Sequence, residues 1–189
     1  MKQLQERIIR EGRVMPGGII NVDGFLNHGV DTRFLGELAE ELSRRMDLTG
    51  VNKIFTAEAS GIPLATVCAY KLGVPMVFAK KVKGEIPEGP HYKSTIFSFT
   101  YQRPTTLVCS VDRIGPEDKV LIVDDFLANG QAIRGLIDIA GQAGAQVVGI
   151  TVAIEKGFQS GGARLRADGH HVEALAIIDK ADESGFTFR

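Results

Sequence analysis

The feature that most constrains the fold is the segment 120–135, which joins an apolar run, two acidic residues, a short polar loop and a helical pattern. Residues 120–123 are apolar and mostly β-branched, which is typical of a strand buried on both faces of a parallel sheet. Asp124 and Asp125 follow, at the point where such a strand should end. Because open α/β sheets bind ligands beyond the carboxyl ends of their strands, the segment predicts a binding site there.

The loop after the acidic pair has the composition of an anion site. Ala128, Asn129 and Gly130 turn the chain into a helix that is expected to start near Gln131. Unpaired backbone N–H groups and the positive end of the helix dipole would then face one small volume, which suits a phosphate. The two carboxylates suit ribose hydroxyls, directly or through a hydrated Mg²⁺. A solvated acidic pair followed by an ordinary glycine turn would account for the same residues.

Composition limits the classes of protein that are possible. The chain has 189 residues, is 44% hydrophobic and carries a formal net charge of -1, which together favour one globular domain. The near-neutral charge and the lack of a long basic run argue against a nucleic-acid partner. No stretch approaches the roughly 20 apolar residues of a membrane helix, so we expect a cytoplasmic protein. Cys68 and Cys109 lie in apolar patterns, which predicts reduced core residues.

Short apolar strands alternate with helical patterns along the chain, which predicts an α/β fold. One helix is expected after Asp31, a capping candidate, and another over residues 62–72, ending at Gly73. Strands are predicted at residues 53–56, 75–79, 105–110, 120–123, 146–154 and 172–179.

A second candidate anion loop lies in residues 54–65, where a strand leads through small residues into a helix. Ser60 can cap that helix or donate its hydroxyl to a ligand, and Gly61 lets the backbone approach closely. An ordinary turn with a serine cap would explain this segment equally well when it is taken alone. Two such loops in one small α/β domain are harder to explain as ordinary turns.

The segment 120–135 resembles the phosphoribosyl diphosphate (PRPP) signature of type I phosphoribosyltransferases. The resemblance implies an α/β core with a mainly parallel sheet flanked by helices, at about 31–154, and a small hood from about 1–30 and 155–189, within a single domain 1–189. Where that family usually has threonines, this chain has Asn129 and Gln131, whose side chains can also donate hydrogen bonds. The implied PRPP-binding residues are Ser60, Gly61, Lys80, Ala128, Asn129, Gly130, Gln131 and Ala132.

A lysine pair follows the predicted strand 75–79. Exposed lysines are usually only solvated, but Lys80 and Lys81 at a strand end suit a diphosphate. Residues 80–92 are rich in Gly, Pro and Lys, which predicts a mobile loop, and Lys93 and Ser94 are weaker candidates beside it. In enzymes that this chain resembles, the loop after this strand closes over the reacting centre, where closure would exclude water.

Residues 11–28 resemble those type I phosphoribosyltransferases that act on xanthine, with Phe-Leu-Asn-His at 25–28 and Glu-Lys-Gly-Phe at 155–158 as the specific signals. The resemblance implies that Ile20 and Asn27 contact the purine, that Lys156 reaches a ring carbonyl, and that Phe158 lies near the ring face. Xanthine has carbonyls at C2 and C6 that an amide and an ammonium donor complement. Adenine would place its C6 amino group against Lys156, donor against donor. Taken in isolation, Asn27 fits a turn and Lys156 a solvated strand end.

The implied reaction transfers ribose 5-phosphate from PRPP to N9 of xanthine and releases diphosphate, as in purine salvage. Asp124, Asp125 and Lys81 are the candidate catalytic residues. Mg²⁺ would arrive with PRPP, with the acidic pair as its nearest protein groups and no direct metal site. The resemblance also implies a homodimer. Two alternatives stay open: a hypoxanthine or guanine phosphoribosyltransferase, and a PRPP-responsive regulatory protein without turnover.

Overall fold

A computed structural model of the protein describes residues 1–15, 19–82, 84–86, 88–98 and 103–189. The helices are α1 (Lys2–Glu11), α2 (Thr32–Arg45), α3 (Ile62–Leu72), α4 (Gln131–Gln142) and α5 (Gly161–Ala167), with a π-helical turn (Asp23–Asn27) and a 3-10 turn (Val111–Arg113). The strands are β1 (Arg13–Met15), β2 (Ile19–Asn21), β3 (Lys53–Ala57), β4 (Met76–Val82), β5 (His91–Ser98), β6 (Arg103–Ser110), β7 (Lys119–Leu127), β8 (Gln146–Lys156), β9 (Val172–Asp182) and β10 (Gly185–Phe188).

The main sheet has eight strands in the order β10-β9-β8-β7-β3-β4-β6-β5. The pairs from β9 through β8, β7 and β3 to β4 are parallel, while β10, β6 and β5 are antiparallel to their neighbours. The strands β1 and β2 form a separate hairpin. The predicted fold class, a mainly parallel sheet flanked by helices, is confirmed.

Both faces of the sheet are covered, which explains the continuous apolar runs of its central strands. One apolar cluster includes buried side chains of α1, α2 and α3, such as Leu4, Leu38 and Leu64. The other includes Leu136 of α4 and Leu165 of α5. In β7, every residue from 120 to 125 is buried, so the acidic pair lies at the end of a fully enclosed strand.

The local helix signals are confirmed. The carboxylate of Asp31 accepts a hydrogen bond of 3.0 Å from the backbone N–H of Phe34, which caps α2. Helix α3 has the predicted bounds and ends at Gly73, whose φ of 67° is left-handed. Helix α4 begins at Gln131, directly after the predicted anion loop.

Two strand boundaries differ from the prediction because neighbouring strands extend them. The strand β7 does not stop before Asp124: it runs to Leu127, which pairs with Glu155 of β8. The predicted loop 80–92 is shorter, since β4 continues to Val82 and β5 begins at His91. Lys93 and Ser94 are therefore strand residues rather than loop residues, paired with Val108 and Leu107 of β6.

The two chain ends lie together in the fold. Helix α1 packs against β9 and β10, and these strands continue the main sheet beyond β8 without a break. The predicted division of the chain into a core at 31–154 and a hood formed by both chain ends stays a prediction. Within the residues described, no helix is long and apolar enough to cross a membrane.

Candidate active site

The two predicted anion loops meet at one edge of the sheet. The strands β3 and β7 are parallel neighbours, with Phe55 opposite Ile122, so the loops that follow them emerge side by side. The hydroxyl of Ser60, in the first loop, donates a hydrogen bond of 2.9 Å to Asp125 Oδ1 of β7. The side chain of Ser60 makes no cap for α3. The predicted helix cap is therefore not formed, and the hydroxyl is directed to the acidic pair; its donation to a ligand stays a prediction.

The two carboxylates of the acidic pair are almost fully buried. Asp124 is 6% exposed and Asp125 is 5% exposed. The backbone N–H of Asp125 donates to Asp124 Oδ1 over 2.9 Å. Burial, followed by the charge of Asp125, raises the pKa of Asp124 well above its ordinary value. A ligand that supplies hydroxyl donors or a divalent cation would stabilise the ionised pair.

The first anion loop requires glycine at position 61. A β carbon on Gly61 would lie 2.6 Å from Asp124 Oδ1 and would overlap Thr56 Oγ1. The Thr56 hydroxyl is buried and has no hydrogen-bond partner within the part of the chain that the structure describes. The peptide bond between Glu58 and Ala59 in this loop is cis. The backbone therefore passes directly over the acidic pair.

The second anion loop lines a pocket of about 180 Å³. Gly130 has a φ of 77°, the left-handed conformation that glycine adopts without strain, and it directly precedes α4. Helix α5 closes the far side of the loop, since a β carbon on Gly161 would lie 2.6 Å from the Gly130 nitrogen. The pocket is lined by Leu127, Ala128, Asn129, Gly130, Gln131 and Ala132, with Lys81 and the aromatic Phe97 opposite.

Only one member of the lysine pair reaches this pocket. Lys81 lines it, and the Lys81 backbone N–H donates to Glu58 Oε1 over 2.7 Å. Lys80 lines a groove beside His91 and Arg113, on the opposite face of the sheet. Successive side chains of a strand point to opposite faces, and β4 extends through both lysines. The structure therefore does not bring Lys80 to the phosphate loop.

The carboxyl end of β8 places Lys156 beside the same edge of the sheet. Lys156 is half-buried, and its Nζ lies 5.8 Å from the centroid of the Phe126 ring. Burial lowers the pKa of the Lys156 ammonium. Phe126 was not predicted as a site residue, although it follows the acidic pair directly and lines the phosphate pocket. The strand periodicity, continued beyond Asp125, could have indicated Phe126. It was not applied there because the strand was predicted to end too early.

The remaining purine candidates come from the amino-terminal part and from the turn after β8. Ile20 is buried in the apolar cluster against which Phe126 packs. Asn27 ends the π-helical turn, which packs against α3, and its Oδ1 is buried without a hydrogen-bond partner within the described ranges. Phe158 is 45% exposed in the turn that follows β8. Ile20 and Phe126 thus share one cluster with Ile154, two residues before Lys156.

A β-hairpin that the sequence did not predict forms one wall of the phosphate pocket. Ile96 and Phe97 of β5 and Thr105 of β6 line it together with the loop before α4. The tip of this hairpin, residues 99–102, lies outside the described residues. The strand β5 was missed because it directly follows a Gly- and Pro-rich segment that favours a longer loop.

A parallel sheet with two small-residue loops and a buried acidic pair at its carboxyl edge is an arrangement that can accommodate a phosphorylated sugar. A half-buried lysine and an aromatic ring lie beside this site. The fold and the site together are those of the phosphoribosyltransferase class. The family model described as "Phosphoribosyl transferase domain" matches residues 32–181. The chain belongs to this family.

Full-length relatives agree with this assignment. The xanthine phosphoribosyltransferase of Bifidobacterium adolescentis is 43% identical over 99% of this chain and 97% of its own length. That of Bacillus cereus is 44% identical over 100% of this chain and 95% of its own. A solved APRTase from Giardia lamblia, complexed with 9-deazaadenine, superposes with a TM-score of 0.78 at 22% identity, over 92% of this chain and 96% of that one. The last likeness concerns the fold alone.

Proposed function

We propose that the protein transfers the ribose 5-phosphate group of PRPP to N9 of xanthine, forming xanthosine 5'-monophosphate and diphosphate. The full-length relatives named xanthine phosphoribosyltransferase support this function. Within the site, one observation carries the choice of base. Lys156 is a half-buried ammonium beside an aromatic ring, and no carboxylate of the described residues pairs with it.

The environment of Lys156 favours an oxopurine. A partly desolvated ammonium gains most from an acceptor that is itself shielded from water. The C6 carbonyl of xanthine is such an acceptor, whereas the C6 amino group of adenine would leave the Lys156 ammonium unpaired. Phe126, 5.8 Å from the Lys156 ammonium, offers an apolar face for the ring.

Asn27 supports xanthine over the other oxopurines. The buried Oδ1 of Asn27 has no partner within the described ranges and requires a donor. Xanthine presents a ring N–H next to its C2 carbonyl, so one amide group can accept from the first and donate to the second. Hypoxanthine lacks a polar group at C2, and guanine has an amino group there. Rotation of the Asn27 amide would reduce the discrimination against guanine. Selectivity therefore depends on how firmly the surrounding residues fix that side chain.

The chemistry follows from placement and charge. The loop from Ala128 to Ala132 would bind the 5'-phosphate through its backbone N–H groups, and the acidic pair would hold the ribose hydroxyls. The loop with Ser60 and Gly61 would hold the diphosphate, beside Lys81. As the bond from ribose C1' to the diphosphate breaks, its electron pair leaves with the diphosphate. N9 of the purine bonds to C1', and the proton of the imidazole ring is released to solvent. No covalent intermediate with the protein is required.

The acidic pair also fits a magnesium ion that accompanies PRPP. Asp124 and Asp125 provide carboxylate oxygens, which Mg²⁺ prefers, and their buried like charges favour a cation between them and the ligand. Mg²⁺ would supply charge neutralisation for the departing diphosphate. In the part of the chain that the structure describes, no group of three or more His, Cys, Asp or Glu side chains could hold a metal ion by itself. A metal shared with PRPP accords with this donor set.

We further propose that the enzyme works as a homodimer in the cytoplasm. The free thiols of Cys68 and Cys109 fit a reducing compartment. Sedimentation equilibrium of the purified protein, with and without PRPP, tests the dimer. A mass of one chain in both conditions would contradict it.

The proposed function is tested by offering xanthine, guanine, hypoxanthine and adenine separately, with PRPP and Mg²⁺, and measuring nucleotide and diphosphate. We expect the highest kcat/KM for xanthine. Lys156→Met should lower kcat/KM for xanthine by about 10- to 100-fold, the loss of one charge-assisted hydrogen bond. Lys180→Met is the matched control, because Lys180 is exposed and pairs with Asp182.

The other outcomes assign other functions. A preference for guanine or hypoxanthine would overturn the base assignment but keep the PRPP site. PRPP binding without product from any base would indicate the regulatory protein.

A further inference from the structure

Phe25 anchors the π-helical turn that carries Asn27 to the rest of the protein. Phe25 is fully buried and lies two residues before Asn27. Its carbonyl accepts a hydrogen bond of 3.2 Å from the backbone N–H of Asp31. Its ring meets the Phe34 ring edge-on, with 5.9 Å between centroids. The position of the turn therefore depends on how the Phe25 side chain is held.

Arg7 of α1 holds that side chain from a distant part of the sequence. The guanidinium carbon of Arg7 lies 4.7 Å from the centroid of the Phe25 ring and 4.5 Å from that of Phe34. Arg7 Nη1 donates to Asp31 Oδ2 over 2.7 Å, and Arg7 Nε donates to Glu11 over 3.3 Å. With a side chain only 16% exposed, Arg7 is shielded from water on most sides.

These contacts converge on a single unit. Asp31 caps α2 through the Phe34 backbone N–H, binds Arg7 through its second oxygen and holds the Phe25 carbonyl through its own N–H. A guanidinium is planar, so it can contact two rings and still donate in its own plane, which an ammonium cannot do as fully. Arginine is thus the side chain that can contact the Phe25 and Phe34 rings and bind the Asp31 carboxylate at the same time.

We propose that Arg7 is a positioning residue for purine selectivity: it holds Phe25 and thereby the π-helical turn, so that the Asn27 amide keeps one orientation toward the C2 side of the base. This inference rests on the proposed function, in which Asn27 contacts the purine. The buried Oδ1 of Asn27 has no hydrogen-bond partner among the described residues, so packing around the turn contributes to placing the amide. Loss of Arg7 would let the turn shift and the amide rotate.

The test compares Arg7→Gln and Arg7→Lys with wild type. For each we would measure kcat and KM for xanthine and guanine, KM for PRPP and the thermal midpoint. Arg7→Gln should raise KM for xanthine by about 10-fold and reduce the xanthine-to-guanine ratio of kcat/KM by about 5-fold or more, consistent with a hydrogen bond that is no longer well placed. Arg7→Lys should recover part of the ratio, and KM for PRPP should stay within about 2-fold because the phosphate loops are untouched.

Arg10→Gln is the matched control. Arg10 lies on the same helix, pairs with the same Glu11 and is exposed, so its replacement removes an equal charge without touching either ring. It should leave the xanthine-to-guanine ratio unchanged. If Arg7→Gln fails to fold, Phe34→Leu removes one ring of the stack while keeping the arginine, and it should lower the same ratio.

The possible outcomes distinguish failure of this inference from failure of the proposed function. An Arg7→Gln protein with a lower thermal midpoint but an unchanged ratio would show a purely structural role and overturn the inference. Asn27→Ala is measured in parallel: if it lowers the ratio while the Arg7 and Phe34 variants do not, the Arg7 inference alone fails. If Asn27→Ala leaves the ratio unchanged, the purine assignment of Asn27 fails, and the inference fails with it. Absence of xanthine turnover by wild type would refute the proposed function itself.

Discussion

The hydroxyl of Ser60 donates to Asp125 Oδ1 over 2.9 Å and so connects the loop after β3 with strand β7 across 65 positions of sequence. The bond orients a carboxylate that is 5% exposed and that would hold the ribose of PRPP. Each loop is built from its own strand and helix, but the acidic pair receives a donor from the other loop. In the proposed function, this serine would couple the diphosphate end of the site to the ribose end.

Replacing Ser60 with alanine should weaken PRPP binding and leave the fold intact. Removal of one hydrogen bond to a buried carboxylate is expected to reduce kcat/KM for PRPP by about 10- to 100-fold. Steady-state kinetics with varied PRPP would measure this. Ser43→Ala is the matched control, because the Ser43 hydroxyl bonds a carbonyl within α2. Equal kinetics of the two variants would contradict a role for the Ser60–Asp125 bond.

Replacing Gly61 with alanine should abolish activity. The new β carbon would lie 2.6 Å from Asp124 Oδ1 and overlap Thr56 Oγ1, so either the loop or the acidic pair must move. We expect a loss of at least about 100-fold in kcat/KM, because displacement of positioning groups by about 1 Å is that costly. Gly36→Ala serves as the control, since a β carbon there would lie 4.0 Å from Lys71 Cε, an ordinary contact, and alanine favours a helix. A fully active Gly61→Ala enzyme would mean that the loop is more adaptable than its contacts indicate.

Asp124→Asn should stabilise the ligand-free protein while it removes activity. The pKa of Asp124 is raised by burial and by Asp125, so ionisation of Asp124 costs folding free energy as pH rises above its ordinary pKa of 3.8. At pH 7 the variant should have a higher free energy of unfolding than wild type, and the difference should vanish below about pH 3, where both states of the wild type hold the proton. The asparagine Oδ1 can still accept from the Asp125 N–H.

Denaturant unfolding at several pH values, with chelator and without PRPP, measures this difference. Addition of PRPP and Mg²⁺ should stabilise wild type more than the variant, since the carboxylate then has a partner. A variant that is less stable than wild type at pH 7 would contradict the assignment of a costly buried charge.

Both cysteines should be inert in the folded protein. Burial raises the pKa of Cys68 to about 12 and that of Cys109 to about 11, so little thiolate exists at neutral pH. We expect an aromatic disulfide reagent at pH 8 to label native protein at least about 100-fold more slowly than protein in denaturant. Rapid labelling of a folded sample, verified by circular dichroism, would show that one of these sites opens to solvent.

Much of the fold could be predicted because its signals are local. The helix 62–72, its end at Gly73 and the start of α4 at Gln131 follow from caps and loop residues that lie next to one another in sequence. The resemblance to phosphoribosyltransferases is confirmed by the family model and by full-length relatives. The individual contacts of Asn27, Lys156 and the phosphate loop stay predictions.

The strand boundaries that were predicted wrongly share a different cause. The extension of β4 through Lys80 depends on pairing with Val108 of β6, which lies 28 positions further along the chain. Without that register, both lysines fit a loop that points at the phosphate site. The pairing sends Lys81 into the pocket and Lys80 to the opposite face. Phe126 was missed for the same reason, since β8 extends β7 beyond the acidic pair.

The sequence by itself determined the kind of chemistry that this protein can perform. Small-residue loops at two strand ends and an acidic pair predict anion and ribose binding, because these signals lie within a few neighbouring residues. Only the tertiary structure decided which groups act together. The contact of Ser60 with Asp125, the placement of Lys80 on the opposite face of the sheet and the contact of Arg7 with the Phe25 ring depend on sheet order and helix packing. Such contacts join residues that are distant in sequence, and local patterns do not encode their distances.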